Sequence, residues 1–505
     1  MRVVLAGDHA GLTMRATLAE VVRSLGHEAV LVGPEEGERV DFPIAAEALC
    51  TELIAGRAQR GILLCGSGAG MTLAANRFPG IRAATAHDTY TAHQMVEHDA
   101  VNVLTLGTRV IGTEPAIEIT RAYLLAEFQP LDRYRRRLAQ IIDIERRRTV
   151  NPLYTLTQAG QAAWLDYIRR DILDDGTLAR YISDNCVTGL TSNPSIFDKA
   201  ISGSDLYDES MSGSDAESIF FDLAIDDLSR AADLLRTAWD VTDGNDGCVS
   251  LEVSPLLAAD AATTIEQGTS LFARMGRDNL LIKVPGTPEG AEAVEELIFR
   301  GVNVNVTLLF DEAQYRTAAE AYIRGIERRL EAGLDAKVFS VASVFVSRWD
   351  TPTADLVGDD LKNKLGVACA TRCHRACEEL FTSDRFKAME AKGARRQKLL
   401  MASTSTKDPS LLDTTYVTAL IAVDSINTIP EPTLIAFADH GIVDGVLNEA
   451  SWQEADRVIA GYEAAGVDIP ALALKLQTEG ADAFVASWRH LLETIESKLG
   501  NLQST

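Results

Sequence analysis

The sequence predicts an α/β protein with two domains, a doubly wound parallel-sheet (Rossmann-like) domain followed by a (β/α)8 TIM barrel. A chain of 505 residues is too long for one ordinary hydrophobic core. Five short apolar segments alternate with helical patterns over about the first 125 residues, which is typical of a doubly wound sheet. About eight further strand–helix units follow over roughly 350 residues, which suits a barrel with inserted helices.

The predicted strands of the first domain are Val3–Ala6, Ala29–Val32, Gly61–Cys65, Ile81–Thr85 and Val101–Leu106. Amphipathic helical patterns such as Leu12–Leu25 and Ile44–Ala55 lie between them. Ligands of such sheets bind beyond the carboxyl ends of the strands. Polar and glycine residues collect at these ends, at positions 8–9, 65–70 and 107–109.

An arginine-rich helical stretch, Asp132–Arg148, ends the first domain. From the sequence alone, a solvated face or a connecting helix explains it as well as a binding role does. The helix breaker Pro152 follows. We therefore predict a boundary near residues 149–153, with domains at residues 1–150 and 151–505.

The predicted barrel strands include Cys186–Leu190, Val249–Val253, Leu280–Val284, Val302–Leu309, Val338–Val346, Lys398–Ala402 and Thr428–Pro430. The Gly/Ser-rich segment Ser202–Ser214 is predicted to be a loop.

Composition and charge exclude several classes of function. A formal net charge of −25 argues against a nucleic-acid partner, which needs a basic face. No apolar run approaches the ~20 residues that span a bilayer, and the amino-terminal segment lacks the pattern of a signal peptide. Seven scattered cysteines indicate free thiols in a reducing compartment. The chain is therefore predicted to be cytoplasmic.

A glycine-rich loop, G66-S-G-A-G70, follows the third predicted strand directly after Cys65. Small residues let backbone N–H groups approach an anion, and the following helix N-terminus adds positive potential. Taken singly, the loop is equally consistent with a tight turn, and Cys65 with a buried structural thiol.

The combination of motifs resembles the type B ribose-5-phosphate isomerase family. In order, the motifs are G-D8-H9-A-G, C65-G-S-G-A-G, N76-R77, H98-D-A-V-N102-V-L and G107-T-R109, over essentially all of residues 1–148. The resemblance implies aldose–ketose isomerisation through an enediolate, with Cys65 as the base. Ser67 and the amides of the loop that contains Gly66, Gly68 and Gly70 would stabilise the enediolate.

The same resemblance assigns further residues and a dimer. His98, with Asp8, would open the sugar ring, and Asn102 would lie among the substrate-binding residues. The phosphate would be held by His9, Arg109, Arg133 and Arg137, the last two from a partner subunit of a homodimer formed through this domain. Ser67 stands where the family often has Thr and Phe42 where Tyr is common, so the preference for pentose or hexose phosphates stays open.

Lys283 is the candidate nucleophile of the second domain. It lies in N-L-L-I-K-V-P-G-T, near the carboxyl end of an otherwise apolar predicted strand. Because burying an ammonium is costly, such a lysine tends to lose its proton, and a neutral amine can attack a ketone. A lysine that snorkels at a strand end is the alternative. Lys337 and Lys398, by contrast, fall at the starts of their strands, where stability is the expected role.

Residues 153–500 resemble the transaldolase family of class I aldolases, through T-S-N193-P, I-K283-V-P, N305-V-T307-L-L-F and S343-V-F-V-S-R348. The resemblance implies a Schiff base on Lys283, with Asp166 as the base for the C4 hydroxyl. Glu252 would act through a water held by Thr307, and Asn193 and Asn305 would bind the dihydroxyacetone unit. Ser343 would orient the substrate. Arg348 and Ser403 would bind phosphate, with Lys407 in place of an arginine that the motif lacks here.

The resemblances imply no metal and no organic cofactor. Cys369, Cys373, His374 and Cys377 share a helical face, but their spacing fits no common zinc pattern and favours core packing. The leading hypothesis is a bifunctional enzyme that acts on small sugar phosphates, with no nucleic-acid or membrane partner. The alternatives are an aldolase that releases free dihydroxyacetone, and a first domain that only senses sugar phosphates or dimerises.

Overall fold

The computed structural model describes residues 1–34, 38–146, 151–213 and 215–502. The end of the predicted arginine-rich stretch, Arg147 and Arg148, and the predicted domain limits at residues 149–150 lie outside these ranges. The chain forms two compact units, Met1–Thr149 with Asp171–Asp184, and Val150–Arg170 with Asn185–Thr505.

The first unit contains a five-stranded parallel sheet in the order β2-β1-β3-β5-β4, which confirms the predicted doubly wound sheet. Its strands are β1 (Arg2–Gly7), β2 (Glu28–Leu31), β3 (Arg60–Cys65), β4 (Ala83–Thr85) and β5 (Val103–Gly107). The helices up to residue 146 are α1 (Leu12–Ser24), α2 (Phe42–Ile54), α3 (Ala69–Ala75), α4 (Thr89–Asp99), α5 (Thr113–Leu125) and α6 (Asp132–Arg146).

Two separate apolar cores cover the two faces of this sheet. Val3 and Leu5 of β1 belong to one core, and Val4 and Ala6 belong to the other. Alternate residues of a strand point to opposite faces, so a strand buried on both sides is apolar throughout. This explains why the sequence shows short unbroken apolar runs here.

The second unit contains a closed barrel of eight parallel strands, which confirms the predicted (β/α)8 fold. The strands are β6 (Gln161–Leu165), β7 (Val187–Leu190), β8 (Val249–Glu252), β9 (Leu280–Pro285), β10 (Val304–Leu309), β11 (Ser340–Phe345), β12 (Lys398–Ala402) and β13 (Ser425–Ile429). They follow one another around the barrel in chain order, and β13 pairs with β6 to close it. The strand β6 was not among the sequence predictions.

From residue 152 onward the helices, in order, are α7 (Pro152–Gln158), α8 (Arg170–Asp174), α9 (Thr177–Asp184), α10 (Pro194–Ser202), α11 (Ala216–Val241), α12 (Ala261–Met275), α13 (Pro288–Arg300), α14 (Glu312–Glu331), α15 (Asp350–Thr353), α16 (Leu365–Phe381), α17 (Asp384–Glu390), α18 (Thr415–Ala419), α19 (Glu431–His440), α20 (Glu449–Ala464) and α21 (Ile469–Leu502). Residues 171–184, which contain most of α8 and all of α9, belong to the first unit. Short 3-10 helices lie at Asp208–Ser210, Pro255–Leu257 and Ser347–Trp349. Among the described helices, none is long and apolar enough to cross a membrane.

The three cysteines of α16 are buried core residues. Burial raises the pKa of the Cys369, Cys373 and Cys377 thiols, which disfavours the thiolate that a metal needs. The neighbouring His374 accepts a hydrogen bond from the indole N–H of Trp452 at 3.2 Å. Over the described residues, no group of three or more suitable side chains could hold a metal ion.

Candidate active sites

Lys283 lies on β9 between two polar neighbours in the barrel wall. The strand register pairs it with Glu252 on β8 and with Asn305 on β10. Its Nζ atom is 3.2 Å from Glu252 Oε2 and donates a hydrogen bond to the carbonyl oxygen of Ser192 at 3.1 Å. The resemblance implied that Glu252 acts through a water, and the structure places its carboxylate in direct contact with the amine. A proton can therefore pass directly from the ammonium to Glu252.

Two carboxyl groups lie in this region of the barrel, Glu252, which is buried, and Asp166, which is half-buried. Burial raises the pKa of Glu252, and the nearby Lys283 ammonium lowers it in part. Burial also raises the pKa of Asp166, again opposed by Lys283. Because Asp166 directly follows β6, it lies at the carboxyl end of its strand, and it accepts a hydrogen bond from Thr191 Oγ1 at 2.7 Å. Carboxyl groups with raised pKa are suited to general acid–base catalysis.

Three buried polar atoms beside Lys283 form no hydrogen bond with the described residues, apart from the 3.2 Å ion-pair contact of Glu252 Oε2 with Lys283 Nζ. They are both carboxylate oxygens of Glu252 and the hydroxyl of Thr307. Buried polar atoms are normally paired with protein groups or ordered water. This arrangement suits a reacting water or a substrate hydroxyl between Glu252 and Thr307.

Hydrogen bonds fix the orientation of the Asn305 amide. Ser343 Oγ donates to Asn305 Oδ1 at 2.7 Å, and Asn305 Nδ2 donates to Ser250 Oγ at 3.1 Å. Asn193 is the N-cap of α10, where its side-chain oxygen accepts a hydrogen bond from the Ile196 N–H. Asn193 therefore caps α10 and also lines the cavity.

A cavity of about 280 Å³ opens at the carboxyl ends of the barrel strands. Its lining contains the predicted residues Asp166, Asn193, Lys283, Thr307, Ser343, Arg348, Ser403 and Lys407. Further lining residues are not predicted from the sequence, notably Thr191, Ser195, Lys199, Thr428 and Phe484. Thr191 begins the T-S-N-P motif and Ser195 follows it, so the motif could have indicated both residues. Phe484 comes from the distant helix α21, and no signal in the sequence connects it to the barrel.

One part of the cavity lining is rich in cations and hydroxyl groups. Arg348 is partly buried, which lowers its pKa, and its guanidinium lies 5.3 Å from the centre of the Phe345 ring. Ser403 has a φ of 56°, in the left-handed region that non-glycine residues rarely adopt. Its hydroxyl lies 2.9 Å from that of Ser347. Such strain in a cavity wall is typical of a functional position.

In the first domain, the loop after β3 holds the Cys65 thiol against a backbone amide. The N–H of Gly68 donates to Cys65 Sγ at 3.1 Å. Gly68 has a φ of 82°, and a Cβ atom on it would lie 3.1 Å from Thr85. A Cβ atom on Gly107 would lie 2.6 Å from the backbone of Ser67. Glycine at both positions therefore lets the loop fold tightly around the sulfur.

The carboxyl edge of the sheet also holds Asp8, His9 and Arg109. Asp8 accepts a hydrogen bond from the N–H of Ala10 at 2.9 Å. His9 and Arg109 line a cavity of about 480 Å³. The Arg109 side chain lies near Gly66, and Phe42 lies against Gly70 on the other side of the loop. The structure thus brings together most of the residues predicted for this site.

The other predicted residues of the first domain lie at the opposite edge of the same sheet. His98 is near the end of α4, and Asn102 directly precedes β5. The five residue steps from Asn102 to Gly107 correspond to roughly 16 Å in a strand, and Gly107 pairs with Cys65. The predicted pairing of His98 with Asp8 is therefore not formed within one chain, because they lie at the amino and carboxyl edges respectively.

The local contacts of these residues form their own cluster. His98 Nε2 lies 2.6 Å from the hydroxyl of Tyr134 on α6, and the two rings stack. Arg133 also donates to the Tyr134 hydroxyl at 2.7 Å, and Arg137 is exposed one turn further along α6. The Asn102 side chain bonds the backbone at Arg82 and Gly80, which gives it a structural role in a turn.

The folds and sites together define an α/β enzyme in which a cysteine–glycine-loop domain precedes a barrel with a buried lysine–carboxylate pair. A family model described as Transaldolase/Fructose-6-phosphate aldolase matches residues 163–495, and one described as Ribose/Galactose Isomerase matches residues 3–141. The chain therefore belongs to the transaldolase/fructose-6-phosphate aldolase family and carries an isomerase-family domain before the barrel. It is a bifunctional enzyme.

Individual relatives match one part of the chain or the other. A transaldolase of Frankia alni is 43% identical over 363 residues, which are 69% of this chain and 98% of that protein. A transaldolase of Mycolicibacterium paratuberculosis is 40% identical over 366 residues, 70% of this chain and 98% of that protein. Among solved structures, the type B ribose 5-phosphate isomerase of Trypanosoma brucei is 39% identical, covers 28% of this chain and 95% of its own, and has a TM-score of 0.27.

Proposed function

We propose that the barrel is a transaldolase that moves a dihydroxyacetone unit from sedoheptulose 7-phosphate to glyceraldehyde 3-phosphate, giving erythrose 4-phosphate and fructose 6-phosphate. The observation that carries the proposal is the buried contact between Lys283 and Glu252 at the mouth of the barrel. An amine beside a carboxyl group can be deprotonated where it meets a carbonyl carbon. Membership of the transaldolase family supports the same reaction.

Each step of the reaction has a residue in place. Lys283 attacks C2 of the ketose while Glu252 takes a proton from the amine, and loss of water then gives the imine. Glu252 and Thr307 position that water, which supplies the buried polar atoms of both with a partner. Asp166 accepts the proton of the C4 hydroxyl as the C3–C4 bond breaks. Asn193 and Asn305 hold the three-carbon unit until an acceptor aldehyde arrives.

The phosphate group binds at the cation-rich part of the cavity. Arg348 and Ser403 bind it, and Lys407 supplies charge where the family motif has an arginine. Ser343 acts indirectly, because its hydroxyl holds the Asn305 amide.

Borohydride reduction tests the barrel reaction. Incubation with fructose 6-phosphate and borohydride should add a dihydroxyacetone-derived mass to the peptide that contains Lys283. The Lys283→Met variant should lose both this adduct and the transfer activity. Lys398→Met is the matched control, since Lys398 is the first residue of β12, at the other end of the barrel. Full transfer by Lys283→Met would refute the covalent mechanism.

The first domain, in the same proposal, interconverts ribose 5-phosphate and ribulose 5-phosphate through an enediolate. Cys65 removes the proton next to the carbonyl, and the hydrogen bond from the Gly68 N–H to its sulfur fixes the position of the thiol. Ser67 and the amides of residues 66–70 bind the developing oxyanion. Asp8 lies at this edge, and His9 and Arg109 bind the phosphate. The two activities together place the chain in the non-oxidative pentose phosphate pathway, and its seven free cysteines support a cytoplasmic location.

A homodimer through the first domain completes the isomerase site. His98, Arg133 and Arg137 lie at the edge of the sheet opposite Cys65. In the proposed dimer, a second copy brings them to the thiol. Mixing a Cys65→Ala variant with an Arg137→Ala variant tests this arrangement. Each alone should be inactive, and the mixture should regain up to about a quarter of the activity, the statistical share of intact sites in a closed dimer. No recovery after subunit exchange would refute the shared site.

A further inference from the structure

The carboxyl-terminal helix α21 lies across the mouth of the barrel with one face towards the reactive lysine. Gln477, Phe484 and Ser487 share this face at helical spacing. Gln477 and Phe484 are buried, at 5% and 4% exposure. Elsewhere along α21, buried residues are interspersed with exposed ones. Since α21 is separated by about 200 residues from Lys283 along the chain, its residues reach the site only through the fold.

Phe484 covers the amine. The centre of its ring lies 5.8 Å from Lys283 Nζ, and the ring forms part of the cavity lining. An apolar ring at this distance excludes water from one side of any imine formed there. Its face also stabilises the cationic form of the nitrogen.

Gln477 fixes the helix to the two strands that carry the reactive groups. Its Nε2 donates to the carbonyl of Gly286, after β9, at 3.0 Å and to that of Leu308, on β10, at 2.9 Å. Lys283 is on β9, and Thr307 directly precedes Leu308. The buried Gln477 amide therefore joins α21 to the strands that carry Lys283 and Thr307.

The Leu308 carbonyl is available to Gln477 because β10 is irregular at this point. Leu308 has a φ of 60°, and the pairing of β10 with β11 shifts register between Val306 and Leu309. Bulges of this kind redirect side chains and carbonyls at functional sites. Three further contacts keep α21 close to the barrel. Ser487 lies 2.7 Å from Ser195, and His490 lies 2.6 Å from Asp198. A Cβ atom on Gly480 would lie 2.9 Å from the end of the Leu308 side chain, so glycine allows a close approach there.

We propose that Phe484, held by Gln477, sets the balance between transfer and hydrolysis of the three-carbon imine. Protonation of the enamine at C3 would give the dihydroxyacetone imine, whose hydrolysis restores the Lys283 amine and releases dihydroxyacetone. Attack of the same carbon on an aldehyde instead forms the C3–C4 bond and the imine of the new ketose, and hydrolysis of that imine completes transfer. The ring and the helix favour transfer by keeping water, the proton source, away from the three-carbon enamine until an aldehyde binds. This proposal rests on the transaldolase function proposed above and makes Gln477 a positioning residue.

The test compares full-length variants with fructose 6-phosphate as donor and erythrose 4-phosphate as acceptor. The readout is free dihydroxyacetone per sedoheptulose 7-phosphate formed. Phe484→Leu should raise this ratio about three- to tenfold, the range that loss of one aromatic contact corresponds to. Borohydride trapping on Lys283 should persist in this variant. Leu474→Ala, at a position 61% exposed on the same helix, should keep the wild-type ratio.

Gln477→Leu is the second variant, because it keeps the ring and removes only the two hydrogen bonds. It should raise the ratio in the same direction by a smaller factor, and it decides the question if Phe484→Leu does not fold. A wild-type ratio in either folded variant, with trapping intact, overturns the proposal. If the wild-type protein forms no Schiff base and no sedoheptulose 7-phosphate, the transaldolase function itself has failed, which is a different result.

Discussion

Glu252 Oε2 lies 3.2 Å from Lys283 Nζ across two adjacent barrel strands, and both side chains are almost fully buried. Without a partner, either charge would be costly to bury. Side by side they can exist as an ion pair or, after proton transfer, as a neutral amine and acid. Imine formation requires the neutral amine, so the contact supplies the base where the nucleophile is needed.

Replacing Glu252 by glutamine should slow imine formation by about 10²–10³-fold, because the amide cannot accept the amine proton. The rate is measured by borohydride trapping after millisecond mixing with fructose 6-phosphate. Glu331→Gln, at an exposed position at the end of α14, is the control and should trap at the wild-type rate. Wild-type trapping by Glu252→Gln would remove Glu252 from this step.

Asp166→Asn should separate bond cleavage from Schiff-base formation. The amide can still accept the hydrogen bond from Thr191, but it cannot take the C4 hydroxyl proton. The variant should therefore trap the intact ketose on Lys283 and transfer about 10²–10⁴-fold more slowly. A trapped adduct of three-carbon mass at the wild-type rate would contradict the role of Asp166.

The same variant should change how stability depends on pH. Burial raises the folded-state pKa of Asp166 above its ordinary value of 3.8. Between the unfolded and the folded pKa the folded state binds more protons, so stability falls as pH rises through this window. Above this window the wild type carries the full cost of ionising Asp166, whereas asparagine carries none. Asp166→Asn should then melt at a higher temperature above the window and lose this advantage below the unfolded pKa, measured by thermal unfolding across pH.

Much of the barrel site could be predicted from the sequence because its residues lie in short motifs on apolar strands. A lysine or asparagine within such a strand stands out, as Lys283 and Asn305 do. The strand β6 was missed since Q-A-A-W-L is short and begins with a polar residue that is buried and hydrogen-bonded to Leu420 and Ser425. Without β6, the sequence does not show that Asp166 follows a barrel strand, which is what places it in the site.

The rest depends on contacts that sequence patterns do not record. Phe484 is one apolar residue of a long amphipathic helix, and only the packing of α21 brings its ring to Lys283. Leu308 adopts a left-handed backbone conformation, which a glycine in the sequence would suggest but a leucine does not. In the first domain, His98 and Cys65 are in the expected motifs, but the direction of α4 places them at opposite edges of the sheet.

Arg348 and Lys407 should differ in their effect on phosphate binding. Arg348 is partly buried beside Phe345, whereas Lys407 is exposed at the rim of the cavity. Charge-assisted bonds are stronger when they are desolvated. Arg348→Met should raise KM for fructose 6-phosphate by about 10²-fold, and Lys407→Met by about 3–10-fold, with kcat less affected. Steady-state kinetics measures both, and Lys392→Met, an exposed lysine that does not line the cavity, should leave KM unchanged.

Gly68 and Gly80 provide a matched pair for the isomerase loop. Both have a positive φ, 82° and 75°, so alanine at either position costs about 1–2 kcal/mol of backbone strain. A Cβ atom on Gly68 would in addition press on Thr85 at 3.1 Å, whereas one on Gly80 would meet nothing within 4 Å. Since the Gly68 N–H also bonds Cys65 Sγ, Gly68→Ala should abolish most isomerase activity. Gly80→Ala should keep the activity and lose only the stability that the backbone strain costs. Chemical denaturation and the ribose 5-phosphate assay measure the two effects, and equal activity in both variants would show that the loop conformation is not required for catalysis.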